Sequence, residues 1–204
     1  MEKPKEAKEH SHEKKQLTTK NKNNQIKPSL ISTIYISLFT AIIAVCSQIT
    51  IPTPFIPFTM QTFAVLVAGG ILGYKRGTVS VLIYLLLGAI GVPVFSGFKS
   101  GLGALTGPTG GYLLGFVITV MAVGIVRDKV SKKTWIMIIS MAVGILLCYA
   151  FGTAWFMIVY TQKNASISLW KALCICVFPY LLFDAGKIIL ATIVVKRLEK
   201  IIRF

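Results

Sequence analysis

The chain has 204 residues, of which 54% are hydrophobic and 14% charged, and its mean hydropathy is +0.72. This composition excludes an ordinary soluble domain of the same size and predicts one polytopic membrane domain. The net charge of +15 does not indicate a nucleic-acid-binding protein, because the basic residues stand in short clusters between hydrophobic runs, as topology signals do.

The N-terminal segment, residues 1–28, is polar and basic. Eight of the 22 lysines and arginines lie in the first 27 residues, without a periodic apolar face. We expect a disordered cytoplasmic extension or, alternatively, a weak contact with anionic lipid, because this segment buries too little surface to offset the entropy of ordering. It is not a signal peptide, because the next apolar run is long and lacks a small-residue cleavage site. The chain therefore divides into this tail and a membrane domain at residues 29–204.

The first predicted span covers residues 30–51 and contains no charged residue. Ser37 and Ala41 are four residues apart and give this helix a thin face that another helix can approach closely. That face either packs inside the chain or docks a separate subunit.

A proline-rich segment follows, with three prolines within residues 52–57. Proline fixes φ and removes a backbone donor, so the helix ends there and we expect an extended, rigid segment. Two further spans are predicted at residues 60–72 and 77–94, separated by a tight basic turn at Lys75 and Arg76.

Residues 94–112 form a glycine-rich segment, with six glycines and one proline. Glycine permits positive φ and a close approach of backbone to a ligand, and irregular backbone at membrane depth is stable only where protein shields it or it lines a cavity. Four large apolar residues interleave the glycines, and we expect their burial: Phe95, Phe98, Leu102 and Leu105. No G-x-x-x-x-G-K-[ST] motif is present, so the chain is not expected to hydrolyse ATP.

Predicted spans at residues 110–126 and 134–161 flank the next basic turn, at 127–133. The second is long enough to tilt or to break near Gly152. Three of its aromatic residues mark either a membrane-interface belt or a pocket wall: Tyr149, Trp155 and Tyr160.

The four cysteines fall inside apolar runs, whereas both histidines lie in the polar tail. Cys174 and Cys176 are two residues apart and so point in different directions on a helix. We expect the cysteines to be small buried hydrophobic side chains rather than metal ligands or disulfides, and we predict no metal site.

The last predicted span, residues 172–195, contains one carboxylate and one ammonium, Asp184 and Lys187. A lone ionised side chain at the centre of a span costs at least about 2.5 to 3.5 kcal/mol, but at i, i+3 spacing the two share one helix face and compensate each other. They form either a structural ion pair or the polar end of a ligand pocket. We favour the pocket, because intramembrane ionisable residues are functional candidates by default.

The basic residues also predict a topology. They lie mostly in the tail, in the connections after the second and fourth spans, and at the C-terminus, with Lys99, Lys163 and Lys171 as the exceptions outside the spans. With six spans, the positive-inside rule places both termini in the cytoplasm. The proline-rich and glycine-rich segments then face outward together, and Asp184 lies near mid-depth below them.

Three motifs resemble the BioY family of biotin-specific S components of energy-coupling factor (ECF) transporters: IPTPFIPFTMQT at 51–62, GPTGGYLLGF at 107–116 and PYLLFDAGK at 179–187. The resemblance covers about residues 29–195 and leaves out the tail, which is longer than the family leads us to expect. It implies an all-α integral membrane protein of six helices in the cell membrane that captures biotin from outside. It further implies docking on a transmembrane T subunit with two cytoplasmic ATPase subunits, with no cofactor and no enzymatic activity in this chain.

The resemblance also implies the substrate site. Asp184 would accept a hydrogen bond from a ureido N–H of biotin, and Lys187 would chiefly keep Asp184 ionised, with pairing to the biotin carboxylate as the alternative. Phe58, Trp155 and Tyr180 would wall the bicyclic ring. The expected substrate-binding residues are Phe58, Gln61, Phe95, Gly107, Pro108, Thr109, Gly110, Gly111, Tyr112, Trp155, Tyr180, Asp184 and Lys187.

The resemblance assigns two further features. The backbone N–H groups present within residues 107–111 and the side chain of Thr109 would donate hydrogen bonds to the ligand. The small face of Ser37 and Ala41 would meet the T subunit, with serine where the family leads us to expect alanine.

Two other functions stay open at this point. One is a solo ion-coupled biotin permease, in which Asp184 relays protons, and the other is an S component for a different small vitamin. A membrane-embedded enzyme is disfavoured, because one carboxylate, one lysine and no histidine within the spans leave too few groups for catalysis.

Overall fold

In the computed structural model, the described residues are 28–53, 56–131, 133–163 and 167–201. The predicted disordered tail lies outside them, apart from its last residue. The structure divides into two units between residues 34 and 35, and the described part of the first, residues 28–34, is helical.

The elements in chain order are helix α1 (Pro28–Gln48), strands β1 (Thr50–Ile51) and β2 (Phe58–Thr59), α2 (Gln61–Ala89), α3 (Leu102–Thr106), α4 (Gly110–Ile125), a π-helical turn (Val126–Val130), α5 (Thr134–Lys163), α6 (Leu169–Cys176) and α7 (Phe178–Ile201). Helices α1, α2, α4 with the π-helical turn, α5 and α7 are long and apolar enough to cross a membrane. The described chain is therefore an all-helical multi-pass membrane protein, which confirms the predicted class. The structure has five such helices among the described residues, and the predicted six spans require α2 to be counted as two.

Helix α2 consists of two arms that meet at Gly73. This glycine has φ 75° and ψ −173°, a conformation that side chains rarely adopt. A Cβ atom at this position would overlap the Asp128 carboxylate, which accepts a hydrogen bond from Tyr74 N–H at 3.0 Å. The break thus lies just before the predicted basic turn, and Lys75 and Arg76 belong to the second arm.

The proline-rich segment contributes a two-stranded antiparallel hairpin. Thr50 pairs with Thr59 and Ile51 with Phe58, and Thr50 Oγ1 donates to Phe58 O at 3.1 Å. The extended backbone was predicted from the prolines, whereas the strand pairing was not.

The predicted span at residues 172–195 is not one helix. It is divided between α6 and α7 at Val177, whose φ is −123° and ψ −58°. Pro179 has no amide hydrogen to continue an incoming helix, but it is tolerated in the first turn of a new one. The break places Asp184 in the second turn of α7.

Helix α4 lies between α2 and α5, and α7 packs on both α2 and α5. The fully buried side chains at these contacts include Leu66, Ile71, Tyr84, Val120, Val123, Met137, Met141 and Val195. Two threonines add hydrogen bonds between helices, Thr40 Oγ1 to Ser80 O and Thr119 Oγ1 to Gly144 O, each at 3.0 Å. Both kinds of contact stabilise helix association in a bilayer, where lipid is as apolar as the side chains.

Some expectations about burial were wrong. Phe95 is buried as predicted, but Phe98 and Leu102 are 72% and 66% exposed. Cys148 and Cys176 are buried, whereas Cys174 is exposed. In a membrane protein an exposed apolar side chain faces lipid at little cost, so an apolar sequence does not separate buried from lipid-facing positions.

Candidate binding cavity

A cavity of about 420 Å³ lies where the β1–β2 hairpin and the glycine-rich segment meet. Its walls come from the hairpin, the start of α2, the glycine-rich segment and helices α4 to α7. The predicted substrate-binding residues that line it are Phe58, Gln61, Phe95, Pro108, Thr109, Tyr112, Tyr180, Asp184 and Lys187. The proline-rich and glycine-rich segments are therefore brought to the same place as the intramembrane pair, around a volume in the range of small-molecule sites.

The pair of Asp184 and Lys187 forms the polar part of the cavity. Both residues are on α7, they are 4% and 5% exposed, and Lys187 Nζ lies 2.7 Å from Asp184 Oδ1. Their i, i+3 spacing gives them the common face that the sequence predicted. Because both charges are removed from water, each needs further partners to offset its desolvation.

Lys187 finds a partner for each of its three hydrogens. Nζ donates to Asp184 Oδ1 at 2.7 Å, to Thr59 O at 2.7 Å and to Thr62 Oγ1 at 2.9 Å. It also lies 4.1 Å from the centre of the Phe58 ring, a cation–π contact. An ammonium group has three donors, so none is left for a ligand.

The two oxygens of Asp184 are in different environments. Oδ1 accepts from Lys187 and, at 3.3 Å, from Thr62 Oγ1. Oδ2 accepts from the hydroxyl of Tyr149, which is on α5. Each carboxylate oxygen has two acceptor positions, so Oδ2 keeps one position open beside the cavity.

Gln61 supplies a second acceptor. Its Nε2 donates to the Tyr84 hydroxyl at 2.8 Å, and that hydroxyl donates to Val94 O at 3.2 Å. Because Tyr84 gives its hydrogen to a carbonyl, it can only accept from Gln61, which directs the amide oxygen elsewhere. Among the described residues, Gln61 Oε1 has no hydrogen-bond partner, and it is not one of the atoms enclosed away from solvent. Because Gln61 lines the cavity, this oxygen is exposed to the cavity.

Aromatic rings form one wall. The Phe58 ring stacks with Tyr180, with centroids 6.3 Å apart, and meets Phe183 at 4.8 Å. The Tyr180 hydroxyl donates to Ile56 O, which ties the proline-rich hairpin to α7. This wall offers an apolar ring a flat surface next to the polar pair.

Phe95 closes another part of the wall. It is 2% exposed and meets Tyr84 edge to face with centroids 5.6 Å apart. The ring fits because position 88 is glycine, where a Cβ atom would overlap it.

Four predicted site residues do not line the cavity: Gly107, Gly110, Gly111 and Trp155. Trp155 Nε1 donates to Gly107 O at 3.1 Å, and the Trp155 side chain occupies the space that a Cβ atom at Gly111 would need. Gly110 N–H donates to Gly107 O at 3.0 Å, so this amide is engaged within the segment. Trp155 supports the glycine-rich segment from behind, while Pro108 and Thr109 reach the cavity.

Sequence reasoning missed Tyr149, Thr62 and Thr59 as partners of the ion pair. Thr62 lies inside the motif at 51–62, so its hydroxyl next to Gln61 was a usable signal, whereas Thr59 contributes its backbone carbonyl, which no residue type indicates. Tyr149 lies on another helix, 35 residues from Asp184, and its spacing fitted a membrane-interface belt equally well.

The two predicted docking residues, Ser37 and Ala41, are both exposed on α1. This face of α1 is therefore not packed against the core of the described residues.

Residues 15–204 match the model of the BioY family. The chain belongs to the BioY family. This confirms the resemblance drawn from the motifs at 51–62, 107–116 and 179–187, and it identifies the molecule as a member of a transporter family.

Relatives of this BioY chain include the biotin transporter BioY of Thermotoga maritima and the biotin transporter BioY2 of Lactococcus lactis. They are 37% and 38% identical to it over 164 residues, which is 80% of this chain and 93% and 87% of theirs. The fold is similar to a crystal structure of the S-component for biotin from an ECF-type ABC transporter, with TM-score 0.75 and 30% identity over 84% of this chain and 92% of that one.

Proposed function

We propose that this BioY chain is the biotin-capturing S component of an ATP-driven uptake transporter. The observation that carries the proposal is the buried, hydrogen-bonded pair of Asp184 and Lys187 in the wall of a cavity of small-molecule size, in a chain whose relatives are named biotin transporters. The cavity binds its ligand without covalent chemistry.

The acceptors of the cavity match the head of biotin. Biotin carries a neutral ureido ring with two N–H groups, an apolar bicycle and an aliphatic tail that ends in a carboxylate. One ureido N–H donates to Asp184 Oδ2, next to the Tyr149 hydroxyl, and the other donates to Gln61 Oε1. The bicycle packs against Phe58 and Tyr180. A charge-assisted hydrogen bond in a low-dielectric site is stronger than its equivalent in water.

The sidedness of the cavity follows from charge. With both termini in the cytoplasm and six membrane segments, two of them the arms of α2, the cavity faces outward. The structure supports this arrangement, because the proline-rich and glycine-rich segments line one cavity and Gly73 divides α2 where a sixth segment requires a break. Biotin then enters from outside the cell membrane.

Release requires partners. No Walker motif occurs in the sequence, so the energy for release comes from two cytoplasmic ATPase subunits through a transmembrane T subunit. The exposed small residues Ser37 and Ala41 on α1 provide the face on which the T subunit docks.

Calorimetric titration of the purified full chain in lipid nanodiscs tests this function. Biotin should bind with one site per chain, whereas riboflavin, thiamine, folate and pantothenate should release no heat of binding at the same concentrations. Binding of another vitamin in place of biotin would contradict the assignment of the ligand.

A further inference from the structure

The cavity has a second lysine in its wall, Lys99, in the glycine-rich segment. We propose that Lys99 binds the carboxylate at the tail of the ligand. This inference rests on the proposed function and adds to it the residue that recognises the anionic end of the substrate.

Lys99 and Lys187 are the two cations among the described residues that line the cavity. Lys187 is buried, and each of its three hydrogens has a protein acceptor. A ligand carboxylate at Lys187 would have to displace one of these acceptors and would lie beside the negative charge of Asp184. The deep lysine is therefore a poor partner for an anion.

Lys99 is in the opposite situation. It is exposed, and within the described residues its ammonium group has no carboxylate partner. Its charge is available at the edge of the cavity, where a ligand tail would reach water. A carboxylate placed there keeps part of its hydration and gains a cation, which avoids the desolvation cost of the cavity interior.

The backbone presents Lys99 from a fixed position. Phe95 N–H donates to Lys99 O at 3.0 Å, which closes a tight turn with positive φ at Gly97 and Phe98. Gln48 holds the same turn from α1, because its Nε2 donates to Phe95 O at 3.2 Å and its Oε1 accepts from Phe98 N–H at 3.1 Å. Only the side chain of Lys99 has to move to meet a ligand.

The two ends of the cavity therefore differ in chemistry. The deep end offers acceptors, Asp184 Oδ2 and Gln61 Oε1, and the edge offers a cation. This polarity favours a ligand with a neutral N–H head and an anionic tail, bound head first, and it disfavours the same head with a neutral tail.

The test combines three single substitutions with one change in the ligand. Calorimetry measures the Kd of biotin and of its neutral primary amide for the full chain and for Lys99→Gln, Lys99→Arg and Lys171→Gln. Lys171 is an exposed lysine on α6 that does not line the cavity, so it controls for loss of charge on the same side.

The unmodified chain should bind biotin about twofold to fivefold more tightly than the amide, as expected for a partly exposed ion pair. Lys99→Gln should abolish this preference by weakening biotin alone, Lys99→Arg should keep it, and Lys171→Gln should not change it. Retained binding of the amide by Lys99→Gln shows that the variant is folded.

Three results would overturn the inference: an unchanged preference in Lys99→Gln, an equal loss for both ligands, or the same effect in Lys171→Gln. Failure of the unmodified chain to bind either ligand would instead reject the proposed function, and the inference with it.

Discussion

Among the described residues, clusters of ionised side chains occur at two places, and they are built differently. In the cavity, Lys187 has a partner for every hydrogen and Asp184 accepts on both oxygens. In the second cluster, Glu199 Oε2 on α7 lies 3.3 Å from Lys196 Nζ, and Glu199 Oε1 lies 3.8 Å from Arg127 Nε in the π-helical turn. Arg127 Nε and Glu199 Oε1 are enclosed there without a hydrogen-bond partner within the described residues.

This difference shows where a charged side chain needs a complete set of well-placed partners. A buried charge in the cavity cannot exchange partners with water, so its neighbours must satisfy it before a ligand arrives. In the second cluster the pairing overlaps, because Arg127 also lies 3.2 Å from Asp128 and Glu199 has both Lys196 and Arg127 beside it. The cavity cluster should therefore be sensitive to single substitutions, and the second cluster should tolerate them.

Removing the cavity cation should have the largest effect. Lys187→Met leaves Asp184 buried without its counter-ion, which should lower the free energy of unfolding by about 3 to 5 kcal/mol. Thermal unfolding in detergent, with biotin absent, measures this loss. The double variant Asp184→Asn, Lys187→Met removes both charges and should recover most of the stability without recovering biotin binding; a double variant as unstable as the single one would contradict this explanation.

Replacing the cavity carboxylate should have the next largest effect. Asp184→Asn removes the anion that accepts a ureido N–H, and it should weaken biotin binding more than tenfold, in line with about 1.5 to 3 kcal/mol for a hydrogen bond to a charged group. Calorimetry of the folded variant measures it. Unchanged affinity would remove Asp184 from the ligand site.

Removing the hydroxyl that orients the carboxylate should have a smaller effect. Tyr149→Phe leaves the ion pair intact but frees Asp184 Oδ2, and we expect biotin affinity to fall about fivefold, a loss of about 1 kcal/mol. Tyr160→Phe, on the same helix and outside the cavity lining, is the matched control. Equal losses in the two variants would show that Tyr149 has no special role.

The second cluster should show the smallest effect. Glu199→Gln removes one charge but leaves Arg127 paired with Asp128, and the new amide oxygen still accepts from Lys196, so the free energy of unfolding should change by about 1 kcal/mol or less and biotin affinity should stay the same. A loss as large as that of Lys187→Met would mean that the two clusters are not different in kind.

Sequence reasoning identified the features that depend on residues close together in the chain. The i, i+3 spacing placed Asp184 and Lys187 on one face, and the proline and glycine runs located the segments that cover the cavity. A basic turn was predicted at Lys75 and Arg76, and the break in α2 lies two residues before it, at Gly73.

What the sequence could not provide depends on contacts between distant residues. Tyr149 meets Asp184 across two helices, and no spacing rule relates them. Trp155 was expected in the cavity but packs behind Gly107, because an aromatic side chain fits either face of a glycine-rich segment. The division at Val177 was hidden because residues 172–183 contain no charged residue, although Pro179 was the residue that could have indicated it.

A structure of the full chain with biotin bound tests the central claim most directly, through the distance from Asp184 Oδ2 to the nearest ureido nitrogen. The proposed site predicts a charge-assisted hydrogen bond of about 2.7 to 2.9 Å, with the bicyclic ring packed against the wall of Phe58 and Tyr180. A ureido ring more than about 3.6 Å from this oxygen, with Asp184 still bonded only to Lys187, Thr62 and Tyr149, would show that the pair holds helices together and does not recognise the ligand.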